Sequence, residues 1–60
     1  MNKFIELPEK DKNVLINIHH IVKIAPDDRD GLTNIFLSDG ISAVIRLPYQ
    51  DLTRRILQES

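Results

Sequence analysis

Thr33-Asn34-Ile35-Phe36-Leu37-Ser38-Asp39-Gly40-Ile41-Ser42-Ala43-Val44-Ile45-Arg46-Leu47 sets two alternating apolar runs on either side of an Asp-Gly pair. In the first run, Thr33 to Ser38, Ile35 and Leu37 share one face while Asn34, Phe36 and Ser38 take the other. In the second, Ile41 to Leu47, residues Ile41, Ala43, Ile45 and Leu47 alternate with Ser42, Val44 and Arg46. A period of two marks strands with one face on a core. Asp-Gly between such runs predicts a hairpin with a two-residue type I′ turn, whose central residues both take positive φ.

Working outward, the loop Pro26-Asp27-Asp28-Arg29-Asp30-Gly31 precedes this hairpin. Proline presets φ there and aspartates bond their own backbone, so the composition is that of a turn. Three further strands are expected upstream: Ile21 to Ala25, Val14 to Ile18 (Val14, Ile16 and Ile18 on one face), and Lys3 to Leu7. Pro8 and the charged run Glu9-Lys10-Asp11-Lys12 separate the first two strands. Downstream of Leu47 the period lengthens. Pro48 suits a first helical residue, Asp51 suits the first turn, and Tyr49, Leu52, Ile56 and Leu57 gather on one face. A helix of about ten residues is marginal alone and must dock on the sheet. The fold class expected is mainly β (α+β): a small antiparallel sheet of four or five strands, flat or curled toward a barrel, with one C-terminal helix. Residues 1–60 form a single domain.

Size and composition narrow the function. A chain of 60 residues buries only about 60% of the surface its unfolded form exposes, and domains this small usually need a disulfide, a metal or a partner. The sequence has no cysteine, and its only imidazoles are the adjacent His19 and His20. A disulfide is excluded and a structural zinc site disfavoured, which leaves a partner, most simply a second copy. Eight Lys plus Arg against nine Asp plus Glu give a net charge near −1, not the basic footprint that nucleic acid requires. The N-terminal residues lack a signal-peptide pattern, and no apolar run approaches the roughly 20 residues that span a bilayer. A cytoplasmic location without membrane insertion is expected.

No motif carries catalysis. On a strand, His19 and His20 would point to opposite faces, so a structural role at the bend between the second and third strands is expected. The aspartate loop lacks the acidic residues an EF-hand needs around its glycine, with Pro26 and Leu37 in those places. A serine nucleophile needs an adjacent base; Ser38 and Ser42 flank the hairpin turn, and nothing nearby is expected to set up a triad. Catalytic, cofactor-binding and metal-binding residues are therefore all expected to be none. The informative residues are apolar ones on the outer face. If Ile16, Ile35 and Ile45 face the helix, then Leu15, Phe36 and Val44 face away, joined by Phe4. A contiguous outward patch marks an interaction surface, and these four residues are the candidate interface of a homo-oligomer or of a complex with another protein. The alternative is a sheet curled enough to bury both sets in part.

From Val14 to Leu57 the chain resembles short bacterial proteins of the FlbD/SwrD type, linked to flagellar function and swarming motility. Ile16-Asn17 leads into His20-Ile21-Val22-Lys23-Ile24, then Pro26-Asp27, then Leu37-Ser38-Asp39-Gly40, a strand and a short amphipathic helix. The family shares that order, but opens with a shorter turn than the charged stretch from Pro8 to Asn13. The resemblance implies a non-enzymatic regulatory module acting through protein–protein contacts. A more distant similarity, to the LytTR class of DNA-binding domains, implies the second reading. That is an oligomeric nucleic-acid-binding regulator with Lys3, Lys23, Arg46, Arg54 and Arg55 on one surface. Convergence of those five side chains is the test between the two.

Overall fold

The computed structural model describes residues 3–59. Strands β1 (Phe4–Glu9) and β2 (Lys12–Asn17) are followed by one turn of 3-10 helix (Ile18–His20). Strands β3 (Ile21–Pro26), β4 (Thr33–Leu37) and β5 (Ser42–Ile45) come next, and helix α1 (Tyr49–Glu59) closes the chain. All pairings are antiparallel. The chain is mainly β with one C-terminal helix, but the strands do not form one sheet. β1 and β2 make a two-stranded ribbon, β3, β4 and β5 a separate three-stranded sheet, and no closed barrel forms among the described residues.

Pro8 explains much of this division. In a strand, the N–H and C=O of one residue point to the same side. The Pro8 carbonyl accepts from the Arg46 N–H at 2.8 Å, so its imino nitrogen also faces the β5 side. Proline therefore removes nothing from the β1–β2 ladder, which passes through the pair Pro8↔Asn13. It does remove the donor with which β1 would answer β5. Strand β1 accordingly runs on to Glu9 rather than ending at Leu7. The long charged turn expected from Pro8 to Asn13 shrinks to Lys10-Asp11, with Glu9 paired to Lys12 and Lys10 at a φ of 53°.

Two further departures are local. The Asp-Gly hairpin is present, but its turn is not type I′. Of the Asp-Gly pair, only Gly40 has a positive φ, at 88°. The Gly40 N–H donates to the Leu37 carbonyl at 3.0 Å, and the Leu37 N–H to the Ile41 carbonyl at 2.9 Å. This is a three-residue loop, a tight turn closed by a left-handed glycine. Asp39 Oδ1 steadies it by accepting from the Ile41 N–H. In β3, the register slips between Ile21↔Leu37 and Lys23↔Phe36. The extra residue is Val22. A regular strand would turn Ile21 and Ile24, three apart, to opposite faces; the bulge lets both pack on the core.

That core is Ile5, Leu7, Ile16, Ile18, Ile35, Ile45 and Leu52. It draws on both sheets and on the helix, so the ribbon and the three-stranded sheet stabilise one another. The expected inward set Ile16, Ile35 and Ile45 is buried. On α1, Leu52 is fully enclosed and Ile56 packs at the margin, while Tyr49 and Leu57 stay exposed. Thr33 is the one buried polar residue among those described; its hydroxyl donates to the Leu47 carbonyl at 2.7 Å and fixes the chain entering α1. Among the described residues, no helix is long and apolar enough to cross a membrane.

Candidate interaction surface

The four outward apolar residues fall into two diagonal pairs, one on each sheet. Phe4 lies opposite Asn17 and Leu15 opposite Glu6, which makes Phe4 and Leu15 diagonal neighbours on the outer face of the ribbon. Their inward neighbours Ile5, Leu7 and Ile16 are core. Phe4 is 51% exposed and Leu15 66%. Phe36 lies opposite Ser42 and Val44 opposite Asn34, again diagonal neighbours, on the outer face of the three-stranded sheet. Both are half-buried. The Lys23 ammonium sits 5.2 Å from the centre of the Phe36 ring, a cation–π contact.

Around these faces the surface is grooved. A cleft of about 500 Å³ runs beside Leu15, between β2 and the β4–β5 turn, and is lined also by Asn17, His20, Leu37, Ser38 and Asp39. A shallower groove of about 320 Å³ lies between β3 and α1, with Val22, Ile24, Tyr49 and Ile56 along it. A third, of about 410 Å³, opens at the junction of the two sheets, where Lys10, Arg29, Leu32, Val44 and Arg46 meet.

The Leu15 cleft contains a pairing that sequence reasoning missed. His20 Nδ1 and Ser38 Oγ share a hydrogen bond of 2.9 Å, and the Ser38 N–H donates to the His20 carbonyl at 2.7 Å. The residues are 18 apart, and only the β3–β4 pairing brings them together, so no local pattern signals the contact. A base does therefore stand beside a serine. Asp39, the adjacent carboxylate, has Oδ1 turned to the Ile41 N–H. Both side chains of the pair lie in solvent. The geometry is that of a clasp between the 3-10 turn and the hairpin. His19 and His20 sit on that turn rather than on a strand, and Asn17 caps it by accepting from the His19 N–H. Among the described residues, no three His, Cys, Asp or Glu side chains gather where a metal ion would sit.

The aspartate loop is closed on itself. Asp27 accepts from Arg29 Nε at 2.9 Å, Arg29 Nη2 at 3.1 Å, the Arg29 backbone N–H at 2.9 Å and Asn34 Nδ2 at 3.0 Å. The Arg29 guanidinium, foremost, holds the Asp27 carboxyl far below its ordinary range, and the carboxylate raises Arg29 in return. Both oxygens of Asp27 are thus occupied by protein donors.

The five cations of the nucleic-acid reading are spread over four stretches of the chain. Lys3 precedes β1, Lys23 is on β3 against Phe36, Arg46 follows β5, and Arg54 and Arg55 are on α1. Arg54 pairs with Asp51 at 3.6 Å, and Arg55 Nη2 donates to the Glu6 carbonyl at 3.0 Å. Comparison with known proteins finds no matching family model, curated protein or solved structure.

Proposed function

We propose that this chain is a non-enzymatic interaction module that works through protein–protein contacts, first of all with a second copy of itself. The observation that carries the reading is the bare pair Phe4 and Leu15 on a two-stranded ribbon, 51% and 66% exposed, directly behind the core residues Ile5, Leu7 and Ile16. Among the described residues, strand β2 is paired on one side only, so its free edge continues that apolar face with unpaired backbone groups. Two-fold pairing of such surfaces is the commonest route to a homodimer. Burying a leucine or phenylalanine fully contributes roughly 1.5 to 3 kcal/mol each, a large share of the stability of so small a domain.

Bacterial origin and a role in flagellar motility rest on the FlbD/SwrD-type resemblance, and both, with the cytoplasmic location expected from the sequence, extend the same reading. The nucleic-acid alternative gains nothing from the arrangement of the five cations, three of which are engaged by Phe36, Asp51 and the Glu6 carbonyl. Thermal melting across a hundredfold range of protein concentration tests the proposal. A self-associating chain melts at rising temperature as concentration increases; a midpoint that stays fixed argues for a monomer and against this function.

A further inference from the structure

We infer that the cleft at the junction of the two sheets is a binding site for a small monoanion with an apolar body, such as a short-chain alkyl carboxylate. Three separate segments build it: Lys10 from the β1–β2 turn, Arg29 and Leu32 from the β3–β4 connection, and Val44 and Arg46 from the end of β5. Its volume, about 410 Å³, lies within the range of roughly 300 to 1,000 Å³ usual for small-molecule sites.

The charges in it are unequal. Arg29 is held by Asp27 through two side-chain bonds. Lys10 and Arg46 have no ion-pair partner among the described residues. Two cations without an ion-pair partner among the described residues thus line the cleft together with the apolar Leu32 and Val44, on a chain whose net charge is −1. Every charged side chain lining the cleft is a cation.

Backbone strain points the same way. Lys10 has a φ of 53° and is the one non-glycine residue with positive φ among those described. Glycine or asparagine would fit that turn position with less strain. Strained residues persist where the surrounding structure holds them, and they cluster at ligand sites. The strain here sets the base of a side chain that lines the cleft. The composition of the lining then selects the ligand. An inorganic anion gains nothing from Leu32 and Val44, and a neutral hydrocarbon gains nothing from Lys10 and Arg46. A carboxylate on a short alkyl chain uses both.

The test is an amide-resolved NMR titration of the full chain with hexanoate, hexanol and inorganic phosphate at matched ionic strength. Hexanoate is expected to shift the Lys10, Leu32 and Arg46 amides saturably. Hexanol and phosphate are expected to bind at least about tenfold more weakly, since one charge-assisted contact is worth at least that factor. The K10A/R46A variant changes two exposed side chains. It should keep its spectral dispersion while losing hexanoate affinity by about tenfold or more; if dispersion is lost, Lys10→Gln and Arg46→Gln made singly should each weaken hexanoate binding. Absence of saturation, equal binding of hexanol, equal binding of phosphate, or undiminished binding in the substituted chains would each overturn the site. Lys10 and Arg46 lie apart from Phe4 and Leu15 in the sheet register, so loss of hexanoate binding in their variants and loss of self-association are read separately.

Discussion

The ribbon β1–β2 and the sheet β3–β4–β5 carry the same device and cover it differently. Each turns a diagonal pair of apolar residues outward, Phe4 with Leu15 and Phe36 with Val44. The ribbon leaves its pair bare, while the larger sheet half-covers its own. The difference comes from neighbours. A third strand supplies Lys23 beside Phe36. The long β3–β4 connection folds back so that Asp27 holds Asn34, opposite Val44. Among the described residues, the ribbon has no third strand and only a two-residue turn. Alternation decides which face a side chain takes; the number of flanking elements decides how bare it stays there. An isolated two-stranded hairpin is marginal in water, and this one persists because its inner face shares a core with Ile35, Ile45 and Leu52.

That shared core is the first point at which to break the comparison. Leu52→Ala removes a fully enclosed side chain and should cost about 2–5 kcal/mol, enough to unfold much of a domain this small. Hydrogen exchange should lose protection in both sheets together. A ribbon that stayed protected while the three-stranded sheet opened would show that the two regions do not depend on one core. Next in size comes the contrast between the outward pairs. Phe36→Glu sacrifices half-buried packing and should destabilise by about 1–2 kcal/mol. Leu15→Glu, at a bare site, should change the stability of the single chain by no more than about 0.5 kcal/mol. Equal losses in dilute chemical denaturation would erase the distinction between the sheets. Thr33→Val is smaller again than the core change: it strands the Leu47 carbonyl by removing a part-buried 2.7 Å bond and should cost about 1–2 kcal/mol. The drop should appear at both ends of that bond, as faster exchange in β4 and in the first turn of α1.

How much of this was legible beforehand follows the same division. The five strands, the Asp-Gly hairpin, the Pro-Asp loop and the final helix were readable because each depends on alternation or turn chemistry within a few residues. The split into two sheets was not, because it turns on which side Pro8 presents its missing donor. The bulge at Val22 was hidden behind an Ile21-to-Ile24 spacing that suits no regular strand, and that misfit was the available signal. The outward faces of Leu15, Phe36 and Val44 were legible in the pattern, but their unequal covering was not. The His20–Ser38 clasp and the cleft around Lys10 and Arg46 join residues from distant segments, and local sequence carries no trace of either.

The smallest expected effect concerns acid. Asp27 has its pKa lowered in the folded chain from an ordinary 3.8, chiefly by Arg29. A depressed carboxylate contributes stability that is present above its unfolded value and fades as pH falls through the folded one. Wild-type stability should therefore decline between about pH 5 and pH 2 more steeply than that of Asp27→Asn. Parallel denaturation curves for the two proteins across that window would show that the loop contributes nothing to the larger sheet.

Sedimentation velocity of the wild-type chain and of Leu15→Glu, over a concentration series, bears most directly on the central claim. The wild type should move from a monomer toward a dimer as concentration rises, and Leu15→Glu should remain monomeric while keeping its folded spectrum. A wild type that stays monomeric throughout, or a Leu15→Glu chain that associates as strongly as the wild type, would contradict the assignment of the ribbon's outer face as a self-association surface.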